Sequence, residues 1–187
     1  MAKTMKITAI ISLVLTVICT LLHVKITNDI LLTLAITFGT IAYHFCMRLF
    51  VGEVINALLH NKVDYNKKWF KVGKTELGLY KKLKVKNWKR KMPTYDKSLF
   101  DSGEHSWDEI AQGMCQSEIV HETIVVFSFL PIVSAICFGS LPVFIITSVL
   151  SAGFDLMFVV MQRYNRPRII KLIKRYEKGV GSSEKSI

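Results

Sequence analysis

The sequence predicts an all-α polytopic membrane protein, with four transmembrane helices and cytoplasmic amphipathic or interfacial helices between and after them. Three observations carry this. Hydrophobic residues make up 51% of the 187 positions, and the mean hydropathy is positive at +0.35. Four apolar runs approach the roughly 20 residues needed to cross about 30 Å of hydrocarbon: residues 7–23, 30–50, 122–138 and 142–161. The net charge of +11 is distributed unevenly, because all but Lys25 and Arg48 of the 25 basic residues fall in three stretches. These are the N-terminus (Lys3, Lys6), the segment from Lys62 to Lys97, and the tail from Arg163 to Lys185. With an even number of crossings those stretches share one side, and the positive-inside rule makes that side cytoplasmic. The expectation is one membrane domain over residues 1–187, multi-pass in the plasma membrane, with both termini cytoplasmic. Its basic segments would span 51–121 and 162–187.

The first run follows two lysines, as a secretory signal would. No small-x-small cleavage site comes after it, and Ile18 before Cys19 does not suit a lipoprotein signal, so it reads as an uncleaved first helix. The short turn at Val24–Asp29 joins it to an antiparallel second helix. That helix carries His44 and Arg48 four residues apart, hence on one face. Ionisable groups inside a membrane segment are costly and usually face a partner or a wet cavity. The segment Glu53–His60 reads as a short amphipathic helix along the interface. Next comes a lysine-dense stretch with interleaved aromatics, in which Trp69, Trp88, Lys89 and Lys91 are expected at the membrane surface against anionic head groups. Because membrane orientation and anionic lipid explain the basic balance, nucleic acid is not implied as a partner. Cys19, Cys46, Cys115 and Cys137 contain no CxxC pair, so neither a disulfide framework nor a zinc framework is indicated.

Residues 94–105 read as a loop. Ser106-Trp107-Asp108-Glu109 then matches the S-x-x-E capping box, which starts a helix. From there Trp107, Ile110, Ala111, Met114, Glu118 and His121 recur at spacings of three and four along one stripe. Pro131 predicts a kink in the third membrane segment. The fourth segment holds Asp155, an intramembrane carboxylate and so a functional candidate by default. It ends in Gln162-Arg163-Tyr164-Asn165-Arg166-Pro167-Arg168, where proline is expected to stop the helix and the arginine forks suit phosphate or carboxylate. His121-Glu122 begins like a zinc protease motif, but Val125 stands where the second histidine would be, so no metal site is predicted.

On the four-helix topology, His44 and Arg48, Glu118 and His121, and Asp155 to Arg168 all lie at cytoplasmic helix ends. A single shallow cavity can hold a base, an orienting carboxylate and cations for an anionic ligand, which are the parts of acyl or phosphoryl transfer. Glu118 and His121, at i and i+3, are expected to work as carboxylate and base. Asp155 is expected to pair with His44 or Arg48 and so fix the second and fourth helices. Gln162, Arg163, Asn165, Arg166 and Arg168 are expected to bind substrate or donor, with Asn165 or Gln162 donating to a developing oxyanion. In the rival reading the protein is a noncatalytic scaffold or assembly subunit that only binds anionic lipid.

The segments Glu118-Ile119-Val120-His121, Leu130-Pro131, Gln162 to Arg168 and the upstream Asn87-Trp88-Lys89-Arg90-Lys91 resemble the glycosyl-4,4'-diaponeurosporenoate acyltransferase family of small bacterial membrane proteins, over about residues 65 to 175. The resemblance implies transfer of a fatty acyl chain to a sugar hydroxyl of a carotenoid glycoside. The expected function is therefore an integral membrane acyltransferase acting on a hydroxyl of a lipid or glycolipid at the cytoplasmic leaflet. No tightly bound cofactor is expected, and acyl-CoA or acyl carrier protein would serve as co-substrate.

Overall fold

The computed structural model describes residues 2–90 and 102–183, and among these residues it is helical with no strand. Six α-helices follow in order: α1 (Ala2–Ile26), α2 (Asp29–Leu59), α3 (Lys74–Lys82), α4 (Trp107–Phe127), α5 (Ala135–Phe138) and α6 (Leu141–Ser183). Short 3-10 turns at Lys68–Phe70, Val85–Arg90 and Leu130–Ser134 join them. Four helical stretches are long and apolar enough to cross a membrane: Lys3–Ile26, Asp29–Leu59, Trp107–Phe138 and Leu141–Glu177. On α1, Ile10, Ile11, Leu13, Val14, Val17 and Leu21 are all exposed, as are Ile145, Ile146, Val149 and Leu150 on α6. So much bare apolar surface is costly in water and at home in lipid. This is a membrane protein.

The chain divides into two compact units, Met1–Val54 with Val120–Leu156, and Ile55–Ile119 with Met157–Ile187. In the first unit, α1 and α2 turn through Thr27, which adopts φ 51°, while Asn28 caps α2 by accepting from the Ile30 amide at 2.8 Å. The helices approach closely at Gly39, where an added methyl would touch the Thr16 side chain at 3.5 Å. Tyr43 of α2 donates to the Phe127 carbonyl at the end of α4. Pro131 sits at the start of the 3-10 turn that follows, where a missing amide costs little. Gly139 (φ 67°) then closes α5.

In the second unit, Ser106 and Glu109 form the reciprocal capping box expected of α4. The Ser106 amide donates to Glu109 (2.8 Å) and the Glu109 amide donates to Ser106 Oγ (3.3 Å). Of the expected stripe on α4, Ile110, Ala111, Met114 and Glu118 are at or below 4% exposure, whereas Trp107 and His121 are half-buried; Cys115 is fully buried as well. Val63, Phe70 and Cys115 pack with Leu59, Tyr65 and Ile119, and Tyr80, Val85 and Tyr164 pack with Val72, Leu77, Trp88 and Val160.

Two sequence expectations are corrected here. Glu53–His60 is not a separate interfacial helix, because α2 continues unbroken through Gly52 to Leu59. Pro167 does not end the fourth long helix, since α6 runs on to Ser183 with the proline inside it. The ring costs about 3 kcal/mol in a helix interior, and the anchors made by Arg163, Tyr164 and Arg166 in the turn before it offset that cost.

Candidate functional site

The candidate residues fall into two clusters, one in each unit. In the first unit they gather around Asp155 of α6, whose side chain is 1% exposed. Arg48 of α2 donates to Asp155 Oδ2 from Nε (3.0 Å) and Nη2 (2.5 Å). The other carboxylate oxygen, Oδ1, lies 2.9 Å from Nδ1 of His121 on α4. Arg48 Nη2 also reaches Ser151 Oγ at 2.8 Å, and Ser151 Oγ lies 3.0 Å from Ser128 Oγ. A buried carboxylate thus has one cation and one imidazole, each on its own oxygen. With Nδ1–H donated to Asp155, a neutral His121 carries its lone pair on Nε2, the tautomer of a general base. His44 is buried one turn before Arg48, and neither of its ring nitrogens has a hydrogen-bond partner. Among the described residues, the pair that joins α2 to α6 is Arg48–Asp155, with His44 supplying its backbone carbonyl to Arg48 Nη1 at 3.3 Å.

In the second unit, Glu118 is fully buried and takes two arginines of α6, Arg163 and Arg166. Arg163 Nη1 donates to Oε1 at 2.7 Å, and Arg166 Nη1 donates to Oε2. Arg163 also grips Glu76 of α3 with Nε and Nη2, at 2.5 and 3.2 Å. Its Nη1 reaches the Trp69 carbonyl as well. Arg166, with no exposed surface, donates to the Phe70 carbonyl at 2.6 Å and lies over the Phe70 ring. Arg168 stacks on Tyr164, its guanidinium carbon 4.2 Å from the ring centre. Gln162 is buried and donates to Ser117, and Asn165 donates back to the Met161 carbonyl.

The second cluster also fixes proton affinities outside the membrane segments. The hydrogen bond from Arg163 is the chief reason the Glu76 carboxyl is held below its ordinary range. Burial, then the bond to Glu76, pushes the Tyr80 phenol up to about 12. Tyr65 is pushed up to about 12 as well, mainly by its bond to Asp108. Tyr65 and Asp108 line a cleft of about 710 Å³, together with His60, Asp64, His105 and Glu109.

These placements change several expected roles. Glu118 does not orient His121: two guanidinium groups hold its oxygens, and charge-assisted pairs of that kind outcompete a neutral imidazole. The carboxylate that lies against the His121 ring is Asp155. Arg163 and Arg166 direct donors to Glu76, Glu118 and main-chain carbonyls, while Arg166 Nε is buried without a hydrogen-bond partner. The amide donors of Gln162 and Asn165 are likewise used internally. Trp88 is half-buried and packs on Tyr80, Val85 and Tyr164, while Trp69 is 66% exposed. The Lys89 side chain and Lys91, like residues 94–101 of the expected loop, lie outside the described residues.

Sequence reasoning passed over Glu76 and Ser151. Glu76 had a signal, being the one carboxylate in the lysine-rich run 65–91, where a single acid among so many cations invites an ion pair. Ser151 had one too, lying four residues before Asp155 on the same helical face.

Among comparisons with known proteins, the family model for glycosyl-4,4'-diaponeurosporenoate acyltransferase matches residues 65–175. No curated protein and no solved structure gives a significant match.

Proposed function

Because the chain belongs to the glycosyl-4,4'-diaponeurosporenoate acyltransferase family, we propose that it moves a fatty acyl group from a thioester donor to a hydroxyl of a membrane lipid or glycolipid. His121 is the general base in this reading. The observation that carries it is the 2.9 Å contact between His121 Nδ1 and the buried Asp155. Nε2 takes the proton of the acceptor hydroxyl as its oxygen attacks the thioester carbonyl. The tetrahedral intermediate then collapses, the carbon–sulfur bond breaks, and the imidazolium returns the proton to the leaving thiolate. Asp155 holds the ring in the basic tautomer and stabilises the imidazolium as it forms.

The donor is acyl-CoA or acyl carrier protein. The acceptor is a glycolipid presented at the cytoplasmic leaflet of the plasma membrane, where the basic segments and both termini lie. The exposed lysines around Trp69, among them Lys67, Lys68 and Lys71, rest on anionic head groups, each contributing about 1 kcal/mol near the surface.

Lipid extracts test this. A deletion strain should lack an acylated lipid that returns with the wild-type chain and not with His121→Ala at equal membrane abundance. An unchanged lipid profile would favour the noncatalytic lipid-binding scaffold instead.

A further inference from the structure

We propose that Arg48 is a positioning residue of the acyl transfer, holding Asp155 so that its second oxygen is aimed at His121. The proposal rests on His121 being the base. The two oxygens of Asp155 are divided: Oδ2 receives both Nε and Nη2 of Arg48, and Oδ1 faces His121. A carboxylate held at one oxygen only turns readily about its terminal torsion, which is broad and nearly two-fold. With Oδ2 held by Arg48 and Oδ1 by His121, the carboxylate is fixed at both oxygens and loses that freedom.

The guanidinium is itself anchored. Nη2 bonds both the hydroxyl and the carbonyl of Ser151, Nη1 bonds the His44 carbonyl, and Phe45 and Phe154 flank it at 5.9 Å. Ser151 is tied to Ser128, whose hydroxyl donates to the Ile124 carbonyl. A snorkelling arginine would extend its head toward water, but the Arg48 side chain is only 12% exposed and bends onto an acid. Its charge also offsets that of Asp155, so the site keeps a buried carboxylate without an isolated buried anion.

Residue 48 lies ahead of the stretch matched by the family model, residues 65–175. The first helical hairpin therefore does more than anchor the chain: it supplies a part of the catalytic apparatus that the matched stretch does not contain.

The test measures kcat and KM with an acyl-thioester donor and a glycolipid acceptor for six forms in native-composition vesicles. These are wild type, His121→Ala, Asp155→Asn, Arg48→Met, Arg48→Lys and the Arg48→Met/Asp155→Asn double variant, each with thermal unfolding recorded. Arg48→Met should lower kcat about 100-fold, the scale of a misplaced catalytic group, with both KM values within about threefold. Arg48→Lys should recover part of that, since one ammonium cannot fork across Asp155 and Ser151. The double variant should be no slower than Asp155→Asn alone, because Arg48 acts through that carboxylate. Full kcat in Arg48→Met, or losses that multiply in the double variant, would overturn the proposal. Should Arg48→Met fail to accumulate, Arg48→Lys and Ser151→Ala decide: reduced kcat in both supports it, and wild-type kcat in both overturns it. Activity retained by His121→Ala would instead sink the base assignment itself, and an inactive His121→Ala beside fully active Arg48 variants would sink only the role of Arg48.

Discussion

Glu118 and His121 are three residues apart, and on sequence they form a natural carboxylate–imidazole pair. Three residues turn an α-helix by about 300°, so the two side chains leave the helix about 60° apart, and each takes the partner that tertiary packing offers. Glu118 meets two arginines and His121 meets Asp155. Which acid serves which base depends on neighbours distant in sequence, which spacing within one helix does not reveal. Spacing was informative where a lone intramembrane charge demanded an opposite one, as with Arg48 and Asp155. The two acids should therefore respond differently. Glu118→Gln leaves Arg166 buried and short of its counter-ion, and is expected to cost about 3–5 kcal/mol, read as a lower unfolding temperature. Glu76 gives a pH signature. Its carboxyl is held below its ordinary range in the folded state, so it binds its proton less readily than in the unfolded chain. The stability it adds is fully present above the unfolded value and is lost as pH falls through the folded one. Unfolding followed from neutral pH into the acid range should show a steeper loss in wild type than in Glu76→Gln.

At the scale of elements, the four membrane-length helices, the α4 cap and the break near Pro131 follow from local chemistry, and the sequence shows them. The misplaced ends are those that local rules decide wrongly. Proline at 167 should stop a helix, yet α6 passes through it because Tyr164 and Arg166, just before it, are buried and Arg163 binds two acids. Replacing Pro167 with alanine restores the missing amide and removes the ring clash. It should raise stability by up to about 3 kcal/mol, measured as a higher unfolding temperature, with the helix still continuous. The run through Gly52 has a similar origin, since one glycine costs only about 1 kcal/mol in a helix and α2 is otherwise unbroken over 31 residues.

At the scale of the whole molecule, apolar spans and a one-sided charge distribution make a membrane protein of a chain with more basic than acidic residues. If the four spans all cross, the turn at residues 25–29 and the turn at 139–140 face the side opposite the lysine-rich segment. Single cysteines introduced at Asp29 and at Lys81 in a chain cleared of its native cysteines should therefore differ in labelling by an impermeant maleimide on intact cells, with Asp29 reactive and Lys81 protected. The family match supports an acyltransferase, and the place proposed for the reaction is His121 beside the buried Asp155. The most direct measurement is thiol release from an acyl-thioester by purified protein in vesicles containing a glycolipid acceptor, comparing wild type with His121→Gln at equal folded amount. Acceptor-dependent release in wild type that falls by at least about 100-fold in His121→Gln is the predicted result, and equal rates in the two would contradict it.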